Sequence, residues 1–320
     1  MLYILSSSNT GEKGILYNKA VKERSIYSLQ KEDVVKTILR VLAVTFLSLL
    51  LFSTIVLGQD VWQLPLTGSS VSLEYLSPSL KELNIPGYNP KISVYSVIAT
   101  VNIQLHNSDR LIMEVPYVHY HMDGGSVALG SLFTFSIPGY NSGNIGNIYL
   151  AYEIIRDEHF STTLGIYLPS ASDDEAAPEA GTVSDYDQFA LYIPNLLSFR
   201  PQFNYHSESE NLFVNIKTSP MFTYYTKSTP DAHTVDLFLA LSLQTGFFIG
   251  DFTAGIGWSG NYAATIEAGS FSDRFIDQAG VMAGYKIGPL KPELFLRFPL
   301  SENISDELNS VLGVRVNYEF

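Results

Sequence analysis

The chain has 320 residues, a net charge of −13, 46% hydrophobic and 13% aromatic residues, and no cysteine. The acidic balance argues against nucleic acid as a partner. Without cysteine there are no disulfides, thiolate metal sites or cysteine nucleophile, and no lipidated cysteine of a lipoprotein.

Residues 1–34 are polar and lack a usable apolar period, so they are expected to be a mis-assigned or disordered N-terminal extension, with translation starting near Val34 or Val35. The run from Val41 to Leu57 is uncharged, follows Lys36 and Arg40, and places Val56 and Gly58 at the spacing signal peptidase uses. Residues 35–58 therefore read as a cleaved signal peptide. A membrane anchor is the weaker reading, because the run is at the lower limit of spanning length and Gln59 and Asp60 follow it instead of basic residues. Residues 1–58 carry seven Lys and Arg against four Asp and Glu, so the remainder is more acidic still, at −16.

From residue 59 onward the period changes to two. About ten residues at a time alternate in character, over Val71–Pro78, Ser93–Leu105, Arg110–Tyr120, Asn147–Ile155, Phe160–Leu168, Leu196–Tyr205, Leu212–Tyr225, Val235–Phe247, Phe252–Tyr262, Ile276–Ile287, Lys291–Leu300 and Ser310–Phe320. Twelve such segments predict an all-β fold, a transmembrane antiparallel β-barrel over residues 59–320 with both termini on one side. Leu237, Leu239, Leu241 and Leu243 against Asp236, Ala240, Ser242 and Gln244 show the pattern. A soluble sandwich also alternates, but leucine-rich outsides and polar insides on so many long strands favour lipid around the barrel. Short links with turn chemistry, such as His106–Asp109, Gly250–Asp251 and Gly288–Pro289, take turns with long ones, including 122–146 and 170–187. That is the asymmetry of a bacterial outer-membrane barrel with short periplasmic turns and long outer loops.

Carrying the alternation through every strand places Glu74, Glu114, Glu153, Asp236, Glu293 and Glu319 in the lumen beside Arg200, Lys217, Lys286, Lys291, Arg297 and Arg315. Two readings stay open. Opposed charges in a pore would orient small polar solutes, or the same charges would form a salt-bridged core that fills a narrow barrel. Gly255, Gly257, Gly280 and Gly284 face inward as well and are expected to leave room for passage. Tyrosines near strand ends, among them Tyr117, Tyr149, Tyr224 and Tyr318, suggest interfacial girdles or cross-strand packing.

Other candidates are weaker. His119, His121 and Asp123 share one face, but without a second histidine pair they mark a strand end rather than a metal site. Asp173, Asp174, Glu175, Glu179, Asp185 and Asp187 crowd one outer loop without the spacing of a calcium loop, which predicts a solvated loop. A lipid hydrolase would need serine and histidine. Here His121 and Ser126 are the nearest approach, and the expected asparagine is missing. No metal, cofactor or catalytic residue is expected.

Gly143 to Leu150, with Leu168, Pro169 and Ser170 closing the next strand, resemble segments of the outer-membrane family associated with the meta pathway of phenol degradation, a group of transporters akin to hydrocarbon and fatty-acid channels. Leu197 to Tyr205, with Arg200 and Pro201, and Leu296 to Leu300, with Arg297 and Pro299, resemble two further strands. Asn147 stands where that family has aspartate. The resemblance implies a twelve-stranded barrel and passage of small, apolar or aromatic solutes. The final strand, with Tyr318 and Phe320 outward, resembles the terminal signal read by the barrel-assembly machinery. The expectation is thus an outer-membrane protein whose partners are membrane lipid, the assembly machinery and a small solute. A closed structural barrel whose acidic outer loops bind cations or envelope partners is the alternative, and a lipid-modifying enzyme the third.

Overall fold

The computed structural model describes residues 62, 68–82, 90–106, 108–129, 133–173, 176–227, 235–265 and 270–320. The N-terminal extension and the signal peptide lie outside the described residues. So do Asp174 and Glu175.

The strands in chain order are β1 (Ser70–Leu80), β2 (Ile92–Gln104), β3 (Arg110–Met122), β4 (Gly125–Leu129), β5 (Phe133–Ile137), β6 (Tyr140–Ile145), β7 (Ile148–Ile155), β8 (Phe160–Leu168), β9 (Leu196–Glu208), β10 (Leu212–Tyr225), β11 (Val235–Ile249), β12 (Phe252–Ala263), β13 (Phe275–Tyr285), β14 (Leu290–Pro299) and β15 (Leu308–Glu319). Every neighbour in the main sheet is antiparallel, and β1 pairs with β15, which closes the barrel. β6 and β7 pair with successive halves of β3 and together form one wall position, so the barrel has twelve strands. β4 and β5 make a separate hairpin.

The twelve alternating segments of the sequence fall on these twelve positions, with one correction. The fourth wall strand opens at Tyr140, not at Asn147, and breaks at Gly146 and Asn147. The break has a local cause. Asn147 N–H donates to Leu191 O at 2.6 Å, and a Cβ on Gly146 would overlap that same carbonyl, so the inserted loop takes the Asn147 bond that a continuous strand would give its neighbour, while Gly146 N–H still donates to Pro116 O of β3 at 3.0 Å.

Two periods of sequence become two solvents. Leu73, Leu239, Leu241, Leu243, Ile256, Val281 and Leu294 face outward and are exposed, whereas Ser72, Glu74, Asn102, Ser242, Gln244 and Asn317 face inward and are buried. Lipid costs nothing to the first set, and a charge on that face near the midplane would cost about 2–4 kcal/mol. Short turns gather at one end of the barrel, where Gly250 and Gly288 adopt positive φ of 59° and 58°. Long connections gather at the other. The loop after β8 reaches into the lumen, where Asp185, Asp187, Ala190, Leu191 and Tyr192 are buried. That loop carries a short helix α1 (Ala176–Ala180) and 3₁₀ turns over Gly181–Val183 and Tyr186–Leu191. Ala190, Leu191 and Tyr192 belong to one buried apolar cluster with Leu76, Val94, Val118, Leu196 and Val311.

Candidate functional site

The charged lumen is the candidate site, and the pairing register builds it. Glu74 of β1 and Glu293 of β14 both lie opposite Arg315 of β15. Arg315 Nε donates to Glu74 at 2.7 Å and its Nη1 lies 3.4 Å from Glu293, while Lys291 Nζ sits 3.2 Å from the other Glu293 oxygen. Further along β14, Arg297 donates to Glu74 at 3.4 Å and to Asp185 of the inserted loop at 3.0 Å. Arg297 and Arg315 are 1% and 2% exposed. Phe295 lies between them, with guanidinium carbons 4.7 and 5.4 Å from its ring centre. The ring fits because position 313 is glycine, where a Cβ would overlap Phe295.

Asp185 and Asp187 overturn the expectation of a solvated acidic loop. They are 1% and 4% exposed and point into the barrel. Asp187 accepts from Trp62 Nε1 at 2.8 Å, Ser259 Oγ at 2.8 Å, Gln278 Nε2 at 2.5 Å and Asn261 Nδ2 at 3.5 Å. A loop acid solvated by wall side chains need not meet water. The inward glycines also fail to leave room. A Cβ on Gly257 or Gly280 would stand 2.6 or 2.9 Å from the Trp62 indole, one on Gly255 would crowd Phe213, and one on Gly284 would crowd Glu293. These glycines are seats for large side chains.

The opposite wall borders open space. Arg110 of β3 pairs with Glu153 of β7 at 3.2 Å, both buried. Arg200 of β9 donates to Tyr167 Oη at 2.9 Å and Ser219 Oγ at 3.3 Å, and Tyr167 packs on Tyr149 with ring centres 4.5 Å apart. Tyr149 is therefore a lumen residue and not part of an interfacial girdle. Beside this wall, at the turn end, a cavity of about 470 Å³ is lined by Arg110, Glu153, Lys217, His159, Tyr205 and His206. A second, of about 230 Å³, is lined by His206, Asp251, Lys286, Lys291 and Glu319 among others.

Of the twelve predicted lumen charges, Glu74, Glu114, Glu153, Arg200, Lys217, Asp236, Glu293, Arg297 and Arg315 are buried on the inward face. Asp236 sits towards the loop end and accepts from Thr265 at 2.9 Å. Lys291 and Glu319 are partly buried at the mouth. Lys286 is the exception. β13 ends at Tyr285, so the alternation no longer applies, and Lys286 is exposed in the turn at the rim of the smaller cavity. Tyr318 and Phe320 are 47% and 70% exposed on the outer face, and Phe320 N–H pairs with Ser69 O across the closure at 2.9 Å. His119 stacks on Tyr95 with centres 4.9 Å apart, and His121 turns its Nε2 to Asp123 at 3.1 Å rather than to Ser126.

The loop has its own anchors. Asn147 donates to Ala190 O at 2.8 Å and Ile193 O at 2.7 Å and accepts from Ala171 N–H at 3.0 Å. An aspartate there would set oxygens against two carbonyls, which explains why this chain needs the amide. Outside the membrane-spanning strands, Asp173 is held below its ordinary pKa by hydrogen bonds from Lys227, at 2.5 Å, and from Asn195, at 3.1 Å.

Comparison with known proteins agrees at the level of fold. The COG4313 outer membrane channel from Pseudomonas putida F1 superposes with a TM-score of 0.53 at 14% identity, over 82% of this chain and 99% of that one. The fold is that of a bacterial outer-membrane barrel. A KdgM porin (TM-score 0.41, 14% identity, 78% and 99% covered) and a Pseudomonas aeruginosa FadL homologue (0.37, 9%, 79% and 90%) are too distant to add to this. No family model and no curated protein matches the chain.

Proposed function

We propose that this barrel passes small solutes passively across the outer membrane through its charged lumen, and that it is not an enzyme. The observation that carries this is the half of the lumen below the inserted loop. There a wall of buried charges opens into the cavity of about 470 Å³ at the turn-end mouth. A barrel serving only as a scaffold has no need to keep Arg110, Glu153 and Lys217 beside such a space, where apolar residues would fill it at lower desolvation cost. The likeness in fold to an outer-membrane channel supports the same reading. The sequence resemblance to the phenol meta-pathway family supports solutes with an apolar or aromatic body, and the charged wall favours those bearing a polar group. On this reading the barrel-assembly machinery takes Tyr318 and Phe320 as its signal.

The test is single-channel current from the full chain refolded in detergent and inserted into a planar bilayer. Discrete, reproducible steps are expected, and replacing Arg297 with Ala is expected to change their ion selectivity. A folded barrel that stays silent would favour the closed structural barrel, for which the filled interior speaks.

A further inference from the structure

The four groups that hold the Asp187 carboxylate form a cradle of donors: an indole N–H, a hydroxyl and two amides, at 2.5–3.5 Å. All four are neutral. Two residues earlier on the same loop, Asp185 takes the guanidinium of Arg297 at 3.0 Å. The loop thus presents a pair of carboxylates to receptors that belong to the barrel wall and Trp62.

Arg297 lies 3.4 Å from Glu74, which Arg315 also holds, and 3.0 Å from Asp185. With the loop displaced, the position of the Asp185 carboxylate beside this buried guanidinium would suit an anion from solution. Ser259, Asn261 and Gln278 would at the same time face the lumen with donors preorganised for an oxyanion.

We propose that this wall is a binding site for small organic acids, dicarboxylates fitting it best, and that Asp185 and Asp187 occupy it as a built-in substitute ligand. The proposal rests on the transport reading and names the solute class for the same lumen. A solute enters the site by exchanging with the loop carboxylates: one carboxylate takes the Arg297 guanidinium, the other the Ser259, Asn261 and Gln278 donors. The tethered carboxylates compete at an effective concentration of roughly millimolar, so the site stays shut to scarce solutes and yields to abundant ones.

The experiment uses the full chain in detergent and titrates it with succinate, with succinamide as the neutral counterpart. Removing both loop carboxylates, Asp185→Ala with Asp187→Ala, is expected to tighten succinate binding at least about tenfold over the unaltered chain and to leave succinamide unbound. Adding Gln278→Leu is expected to weaken it again. Equal binding of succinate and succinamide by the double variant would overturn the proposal. Retained heat-modifiable mobility on gels certifies folding, and if the double variant lacks it, the isosteric Asp187→Asn takes its place. The emission of Trp62, isolated by Trp258→Phe, gives an independent readout in the otherwise unaltered chain: succinate shifts it and succinamide does not, and no shift with succinate counts against the site. Liposome swelling separates this from the transport reading. Succinate binding without flux of any solute sinks transport and leaves the site standing, whereas flux indifferent to charge leaves transport standing and sinks the site.

Discussion

The wall formed by β1, β14 and β15 and the wall formed by β3 and β7 to β10 are both lined with buried charge, yet they hold it differently. On the first, Arg315 is gripped from both neighbouring strands, and Arg297 ties the wall to the inserted loop. On the second, Arg110 has Glu153 at 3.2 Å with a cavity of about 470 Å³ alongside. The first wall is where the first and last strands meet with no turn to join them, so their register must be set by side chains. A one-residue slip there would put Glu74 and Arg315 on opposite faces. On the second wall short turns join β7 to β8 and β9 to β10, and Arg110, Glu153 and Lys217 line the cavity.

Replacing Arg315 with Met tests the first half of that contrast most severely. Glu74 and Glu293 would lose the cation between them, and breaking a buried pair in this way costs about 3–5 kcal/mol. Denaturant unfolding in detergent should show it, and the loss should shrink when Glu74→Gln is added. A loss no larger than that of an exposed pair would mean the seam is held by its backbone bonds alone. The next effect is steric. Gly313→Ala on the same strand drives a Cβ into Phe295, and overpacking of this kind costs about 2 kcal/mol. Alanine at Gly284 of β13, where a Cβ would stand 3.1 Å from Glu293 Cγ, should cost less. Arg110→Met on the other wall should cost about 1.5 kcal/mol, the scale of one charged hydrogen bond, because cavity water can take over Glu153. Equal losses at Arg110 and Arg315 would erase the contrast between the walls.

Most of the wall was legible in the sequence because parity in a strand is fixed by geometry, and lipid outside with charge inside writes it in residue type. Arg297 and Glu74 needed nothing more. Lys286 shows the boundary of that rule, since parity carried past Tyr285 into a turn has no meaning. The loop was illegible for a different reason. Asp187 is an acid among acids in its own segment, and its donors Ser259, Asn261, Gln278 and Trp62 lie 72 to 125 residues away. Nothing local distinguishes water from those donors as its solvation. Gly257 and Gly280 carried a signal that can be read two ways, as space or as a seat, and only the position of Trp62 decides. Tyr167 lay on the inward parity of β8 and was available to the same reasoning that placed Arg200.

The smallest expected effect concerns how the loop is held at the outer rim, away from either wall. Asp173 is exposed and its carboxyl is held below the ordinary value of 3.8 by Lys227 and Asn195. A carboxylate whose folded pKa is depressed contributes its stabilisation fully above the ordinary value and loses it as pH falls through the folded one. The rim contact should therefore be indifferent to pH from neutrality down to about 4 and loosen below that. Hydrogen exchange over residues 170–195, compared at pH 5 and pH 3 after correction for intrinsic rates, should show faster opening at the lower pH. The same comparison in Asp173→Asn should show a smaller difference. If the variant responds to acid as strongly as the parent chain, the Asp173 contact does not hold the loop at the rim.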